Sequence, residues 1–250
     1  MSLAEDESRH VRALRLAPGA PVRLTDGCGT LWDARLMSGS GRSADCVLDA
    51  PSLPAAALPV ELAFGVGNKA HVMWLVEKAT EMGVSRLLPL ESERTRSVAD
   101  AGRSPAFWNK AGRRAISAMK QSGGAWLPAI EPPCPLDDYV ARSAEAAGRD
   151  AGATKLLVRL DGSGEGLWGV IQPWDGTARV GMLVGPEGGW STGEVARLDE
   201  AGFRPASLGP LVLRFETAAI AGLAVAAQQI LARDGAGDRQ PSKKQEDSPW

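Results

Sequence analysis

Two Gly-Pro loops, each following a short apolar run and each leading towards a helix, constrain this chain more than any other feature. The first reads L-V-G-P-E-G-G-W-S-T-G-E over residues 183–194, and the second S-L-G-P-L-V-L-R-F-E-T-A over 207–218. One amphipathic helix is expected between them. Pro186 fixes φ, while Gly188 and Gly189 permit positive φ, so backbone amides and carbonyls can face a ligand. Ligand sites in open α/β sheets gather at the carboxyl ends of strands. A G-P-x-G-G segment alone is more often just a tight turn, and it is the pairing with the second loop that points to a binding site.

The rest of the chain supports an α/β reading. From residue 60 strands and helices alternate: a buried strand at 60–66, a helix at 71–82 stopped by Gly83, and a strand at 86–90. A helix at 107–121 and strands at 155–160 and 178–184 follow, then a helix at 191–201 and a final one at 217–233. Such alternation argues for a mainly parallel sheet. Ser191 and Glu194 have the capping-box spacing, and Gly202 ends that helix. The last helix is apolar all round up to Gln228, so it must be buried on all sides, by the core or in part by a second subunit. Residues 9–50 carry short alternating runs broken by turns, among them V-R-L-T-D-G at 22–27, and read as a small β-barrel or sheet. The Pro/Ala stretch 51–59 is the natural linker, and the polar tail beyond Asp234 is expected to be disordered. No internal repeat is found.

Composition narrows the function. Of 250 residues, 44% are hydrophobic and 23% charged, as in soluble globular proteins. The longest apolar run, Ala218 to Ala227, falls short of a bilayer span, and the acidic start M-S-L-A-E-D-E-S is no signal or transit peptide. A cytoplasmic protein without membrane association is expected. Three scattered cysteines and two histidines make a zinc site or a disulfide scaffold improbable, so no metal is expected. Net charge is −2, so affinity for nucleic acid must come from local patches such as residues 103–130, with five basic side chains and no acidic one. Within it, Lys110, Arg113, Arg114 and Lys120 form an outward stripe. The G-V-G-N-K segment at 65–69 lacks the spacing of a phosphate loop, and no hydrolase nucleophile motif occurs. Asp137 and Asp138 read as solvated turn residues. Arg214 and Glu216, at the entrance of the last helix, are either a capping ion pair or groups placed beside a reacting base, and both can hold at once.

Five segments in order are similar to the RsmE family, the SPOUT-class enzymes that methylate N3 of a uridine in small-subunit ribosomal RNA. These are H-V-R-A-L-R-L-A-P-G at 10–19 continued by V-R-L-T-D-G, the helix N-K-A-H-V-M-W-L-V-E-K-A-T-E-M-G-V at 68–84, S-E-R-T-R at 92–96, and the two loops. Together they span roughly residues 9–233. The resemblance implies a PUA-like β-barrel RNA-binding domain over 1–55 and a SPOUT-type trefoil-knotted α/β methyltransferase domain over 60–233. It also implies S-adenosylmethionine bound bent in the knot, a homodimer, and 16S ribosomal RNA or the small ribosomal subunit as partner. The cofactor cradle would comprise Leu183, Gly185, Gly189, Leu208, Gly209 and Leu213.

On this reading Arg214 stabilises charge on the uracil and Glu216 orients it, with Glu187 a second choice of base. Arg12, Arg15, Arg113 and Arg114 hold RNA phosphates, and Arg94 joins either role. The chain departs from the family at Lys120 and Gly124, where the pattern reads E-Q-S-x-R, and at Leu211, where it reads L-G-P-R. Only nine residues precede His10, where the family usually has an extra strand. Two alternatives stay open: another SPOUT activity, on a ribose or on transfer RNA, and a non-catalytic RNA-binding or assembly factor.

Overall fold

The apolar runs of the second half become the middle of a parallel sheet. The computed structural model describes residues 1–38, 43–52, 56–95, 104–149, 156–174 and 179–234. The expected tail and Arg103 lie outside the described residues. The chain divides into two units, Met1–Ala56 with Gly123–Trp126, and Ala57–Ser122 with Leu127–Trp250.

In the smaller unit, β1 (Pro21–Thr25), β2 (Leu31–Ser38) and β3 (Asp45–Ser52) form an antiparallel sheet in that order. β2 buries Leu31, Ala34 and Leu36, its alternation shifted by one residue at the irregularity between Trp32 and Ala34. Ahead of the sheet lies α1 (Glu5–Ala13), where the sequence pattern suggested only strands over 9–50. Two local terms favour this helix. Glu5, Asp6 and Glu7 occupy its first turn, and Arg9 pairs with Glu5 and Asp6 one turn back. Its Val11 packs with Ala34, Leu36, Ala44 and Cys46 in a small core. Segment 123–126 belongs to this unit: Gly29 donates its amide to the Ala125 carbonyl at 2.9 Å. A Cβ on Gly29 would stand 2.2 Å from the Trp126 ring, so only glycine fits there.

In the larger unit the strands are β4 (Leu58–Gly65), β5 (Val84–Glu91), β6 (Ala129–Ile130), β7 (Cys134–Pro135), β8 (Leu156–Gly166), β9 (Val180–Val184) and β10 (Arg204–Ser207). Their order is β10-β8-β9-β4-β5-β6, with β7 also on β5, and every pairing is parallel. Parallel strands are covered on both faces, which is why they read as unbroken apolar runs. Val60, Leu62, Phe64, Met182 and Val184 face one core with α2 (Lys69–Glu81), α3 (Pro105–Gln121), α5 (Leu167–Ile171) and α7 (Phe215–Asp234). Ala63, Leu88, Leu157 and Leu183 face the other, with α4 (Leu136–Arg149) and α6 (Thr192–Glu200). Glu61 is the charged exception within β4, only 3% exposed, and it pairs with Arg86 at 3.0 Å and Arg179 at 3.3 Å. Asp137 and Asp138 begin α4 instead of sitting in a turn, and Asp137 pairs with Arg197 at 2.8 Å.

The last helix is longer than its central apolar run implied. By length and composition Phe215–Arg233 could cross a bilayer, with mean hydropathy 1.4, but half of that stretch is buried within the protein. Phe215, Ala219, Leu223, Ala226 and Ile230 repeat at helical spacing and lie on the sheet. Gly222 sets how closely it lies: a Cβ there would come within 2.5 Å of Leu160 Cδ1 and 2.8 Å of Met182 Sδ. While α6 covers one face and α7 the other, segment 208–214 runs from the end of β10 to the start of α7 at the carboxyl ends of the strands.

Candidate active site

A cavity of about 750 Å³ opens at the carboxyl ends of β10, β8 and β9. Both Gly-Pro loops line it. The loop after β9 contributes Gly185, Pro186, Glu187, Gly189 and Trp190, and the segment after β10 contributes Leu208 and Leu211 to Arg214. Because β8 lies between β9 and β10 in the sheet, its middle adds Leu160, Asp161 and Gly162 between the two loops. The sequence reading ended that strand at residue 160, because D-G-S-G reads as an ordinary turn; β8 instead runs on to Gly166, where Glu165 and Gly166 pair with β10.

The loop after β9 is held on several sides. Pro186 is buried against Gly65 at the end of β4, where a Cβ would stand 2.5 Å from Pro186 N and Cδ. The Trp190 indole lies against Gly185, with Nε1 3.1 Å from where a Cβ would be. Gly189 takes φ 68°, a conformation that favours glycine. The expected capping box forms: Glu194 N donates to Ser191 Oγ at 3.1 Å, and Ser191 N to Glu194 Oε2 at 2.7 Å. Glu194 Oε1 also accepts from Glu93 N at 2.8 Å, which anchors the S-E-R segment beside the loop. Arg94 then donates from Nη1 to the Gly188 carbonyl at 3.0 Å. A hydrogen bond from Ser191, and then the Arg197 guanidinium, hold the Glu93 carboxyl below its ordinary range.

The segment after β10 is looser. Ser207 Oγ braces its turn, accepting from Gly209 N at 3.2 Å and donating to Gly209 O at 2.9 Å. Gly209 has φ 144°. Leu211 and Val212 are 76% and 100% exposed, an apolar rim with little beneath it.

Expected site residues divide accordingly. Gly185, Gly189, Leu208, Leu213, Arg214 and Glu216 share the cavity. Leu183 does not line it: period-two alternation turns its side chain into the core with Ala63 and Trp190, and the adjacent Val184 lines the cavity instead. Gly209 lies outside the lining, in the exposed turn. Arg214 and Glu216 do not pair with each other. Glu216 enters the first turn of α7, 3.9 Å from His71 Nδ1, whereas the Arg214 guanidinium has no ion-pair partner among the described residues. Arg113 and Arg114 lie exposed on α3, where Arg114 pairs with Glu77 of α2. Arg12 and Arg15 are exposed in the smaller unit.

His71 and Trp190 were not anticipated as site residues. His71, in the first turn of α2, contacts Glu187 Oε1 at 3.0 Å through Nδ1, and its ring lies 6.2 Å from that of Phe215. The signal available in the sequence was its place one turn into a helix that follows β4, on the same strand edge as the loops.

The cavity suits a compact cation with an aromatic base. Leu160, Val184, Ala206, Leu208 and Leu213 supply apolar walls, and glycines allow close backbone approach. Asp161, Glu187 and Glu216 set three carboxylates against the one guanidinium of Arg214. Trp190 Nε1 and Glu216 Oε2 are buried polar atoms with no hydrogen-bond partner among the described residues. Those features match S-adenosylmethionine, with its adenine, ribose and sulfonium. Among the described residues no group of three or more metal-ligating side chains is gathered.

An RNA methyltransferase domain model matches residues 54–227. The ribosomal RNA small subunit methyltransferase E of Synechocystis is 30% identical over 216 residues, spanning 85% of this chain and 67% of the relative. The chain belongs to the ribosomal RNA small subunit methyltransferase E family. Its member from Mycobacterium bovis is 30% identical over 222 residues, 87% of this chain and 82% of its own length. A Legionella pneumophila methyltransferase, solved in complex with the bound cofactor S-adenosylmethionine, superposes with a TM-score of 0.76 at 26% identity, covering 91% of each chain.

Proposed function

We propose that this protein transfers a methyl group from S-adenosylmethionine to N3 of a uracil in 16S ribosomal RNA. The observation that carries the reading is the meeting of the two Gly-Pro loops in one cavity at the carboxyl edge of a parallel sheet. Membership of the family supports S-adenosylmethionine-dependent methylation of ribosomal RNA. The cofactor, when bound, supplies an electrophilic methyl on a sulfonium. Gly185, Gly189, Leu208 and Leu213 form its cradle, and the three carboxylates favour its positive charge. Uracil N3 becomes a nucleophile only as its proton leaves, and the charge that develops falls on O2 and O4. Arg214, exposed at the cavity and without an ion-pair partner among the described residues, stabilises that charge. N3 lies on the Watson–Crick edge, so the uridine must be unpaired or turned out, the form in which proteins usually read RNA bases.

The finer architecture belongs to the same reading. The smaller unit, with its antiparallel sheet, acts as a PUA-like RNA-binding domain in which Arg12 and Arg15 meet phosphates, joined by Arg113 and Arg114 of α3. The larger unit is a SPOUT domain over 60–233. A trefoil knot, as the SPOUT resemblance implies, is compatible with the strand order, in which β10 lies beyond β8. Leu231, 41% exposed on α7, and the half-buried Ile220 share one face of the helix and offer apolar surface for a homodimer. The enzyme works in the cytoplasm on the small subunit or its RNA, without a membrane or a metal.

The test is methylation of small ribosomal subunits from a strain lacking the activity, using isotopically labelled donor and mass spectrometry of digested nucleosides. Label in 3-methyluridine is expected. Label in a ribose-methylated nucleoside, or none at all, rejects the reading.

A further inference from the structure

We infer that His71 is the proton acceptor of the reaction, with Glu187 as its positioning residue. This inference rests on the proposed methylation of uracil N3. His71 Nδ1 lies 3.0 Å from Glu187 Oε1 and 3.9 Å from Glu216 Oε1. An ionised carboxylate only accepts hydrogen bonds, so Nδ1 carries the hydrogen and donates it to Glu187. The neutral ring then has its lone pair on Nε2. Its side chain is 35% exposed at the cavity wall, so Nε2 can meet a substrate, and the neighbouring Phe215 ring limits how the imidazole can turn. This is the tautomer logic by which a carboxylate prepares a histidine base.

In the step itself, the N3 lone pair forms the N–CH₃ bond while the S–CH₃ bond breaks and its electron pair stays on sulfur. The N3 proton moves to His71 Nε2. The resulting imidazolium lies between Glu187 and Glu216, two carboxylates that favour its charge. The charged groups that line the cavity with it are Glu187 from the loop after β9, Glu216 from α7, Asp161 and Arg214.

Because the chain has only two histidines, a His71→Gln spectrum assigns the ring signals by subtraction. Long-range proton–nitrogen spectra of the ligand-free wild type should show the Nδ1–H tautomer at His71, and Glu187→Gln should weaken that preference. Single-turnover formation of 3-methyluridine should slow by about 100-fold in His71→Gln, the scale of a lost general base, and by about tenfold in Glu187→Gln. Calorimetric affinity for S-adenosylmethionine should stay within about threefold in His71→Gln, showing that the cradle is intact.

A wild-type Nε2–H tautomer, or a His71→Gln rate within about threefold of wild type, overturns the assignment while leaving the methylation standing. A wild-type enzyme that makes no 3-methyluridine sinks the N3 reading, and the histidine's role with it.

Discussion

The two Gly-Pro loops have similar sequences and very different support. The loop after β9 is wedged under Gly65, packed on Trp190, capped through Ser191 and Glu194, and held by Arg94. The segment after β10 has a braced turn and then an apolar rim, with Val212 fully exposed. One side of the site is thus fixed by the fold before any ligand arrives, whereas the other keeps apolar surface that only a ligand or partner would cover. Preorganisation and adaptability are assigned to different loops of one cavity.

The strongest challenge to that contrast is Gly65→Val. A side chain there collides with Pro186, so unfolding in denaturant should show a loss of about 3 kcal/mol, the upper range for overpacking. Unchanged stability would mean the loop after β9 is not wedged. Next comes Glu194→Ala. It strips acceptors from the Ser191 and Glu93 amides, and about 2 kcal/mol should be lost in the same measurement.

Leu213→Ser, on the looser side, should leave stability within about 0.5 kcal/mol of wild type, as expected away from packed features. Calorimetry should nonetheless show affinity for S-adenosylmethionine about tenfold weaker, or about 1.4 kcal/mol. If stability fell as far as in Gly65→Val, the two sides would be equally built. The smallest effect is on pH. The Glu93 carboxyl is held below its unfolded value, so its contribution is present above that value and lost as pH falls through the folded one. The melting-temperature gap between wild type and Glu93→Gln should therefore be small at neutral pH and close in acid.

What could be read from the sequence follows the same division. β4 and β9 announce themselves as apolar runs because both their faces are buried, and the capping box at Ser191 is a local signal fulfilled locally. The two loops were legible as a pair because glycine and proline restrict the backbone whatever lies around them. The second half of β8 was not, since Asp161–Gly166 is exposed and its place in the site depends on which strands flank it. Leu183 was placed in the cradle by the resemblance, and strand alternation turns its side chain into the core. His71 sits among the residues of an amphipathic helix, and its partners, Glu187 and Glu216, lie more than a hundred residues further along. Nor does any periodicity reveal that Glu216 would face His71 instead of Arg214. Helix α1 was hidden because its short apolar face fits a strand as well as a helix.

Segment 208–214 has a consequence for how the enzyme comes into being. It must run from the end of β10 before α7 can settle, and α7 then closes the cavity with Phe215, Glu216 and Ala218. While the nascent polypeptide is still being extended through residue 214, the earlier loops have nothing to close against. Competence to capture the methyl donor therefore arrives late in synthesis, so a chain stalled before α7 emerges should be inert even with every preceding strand in place.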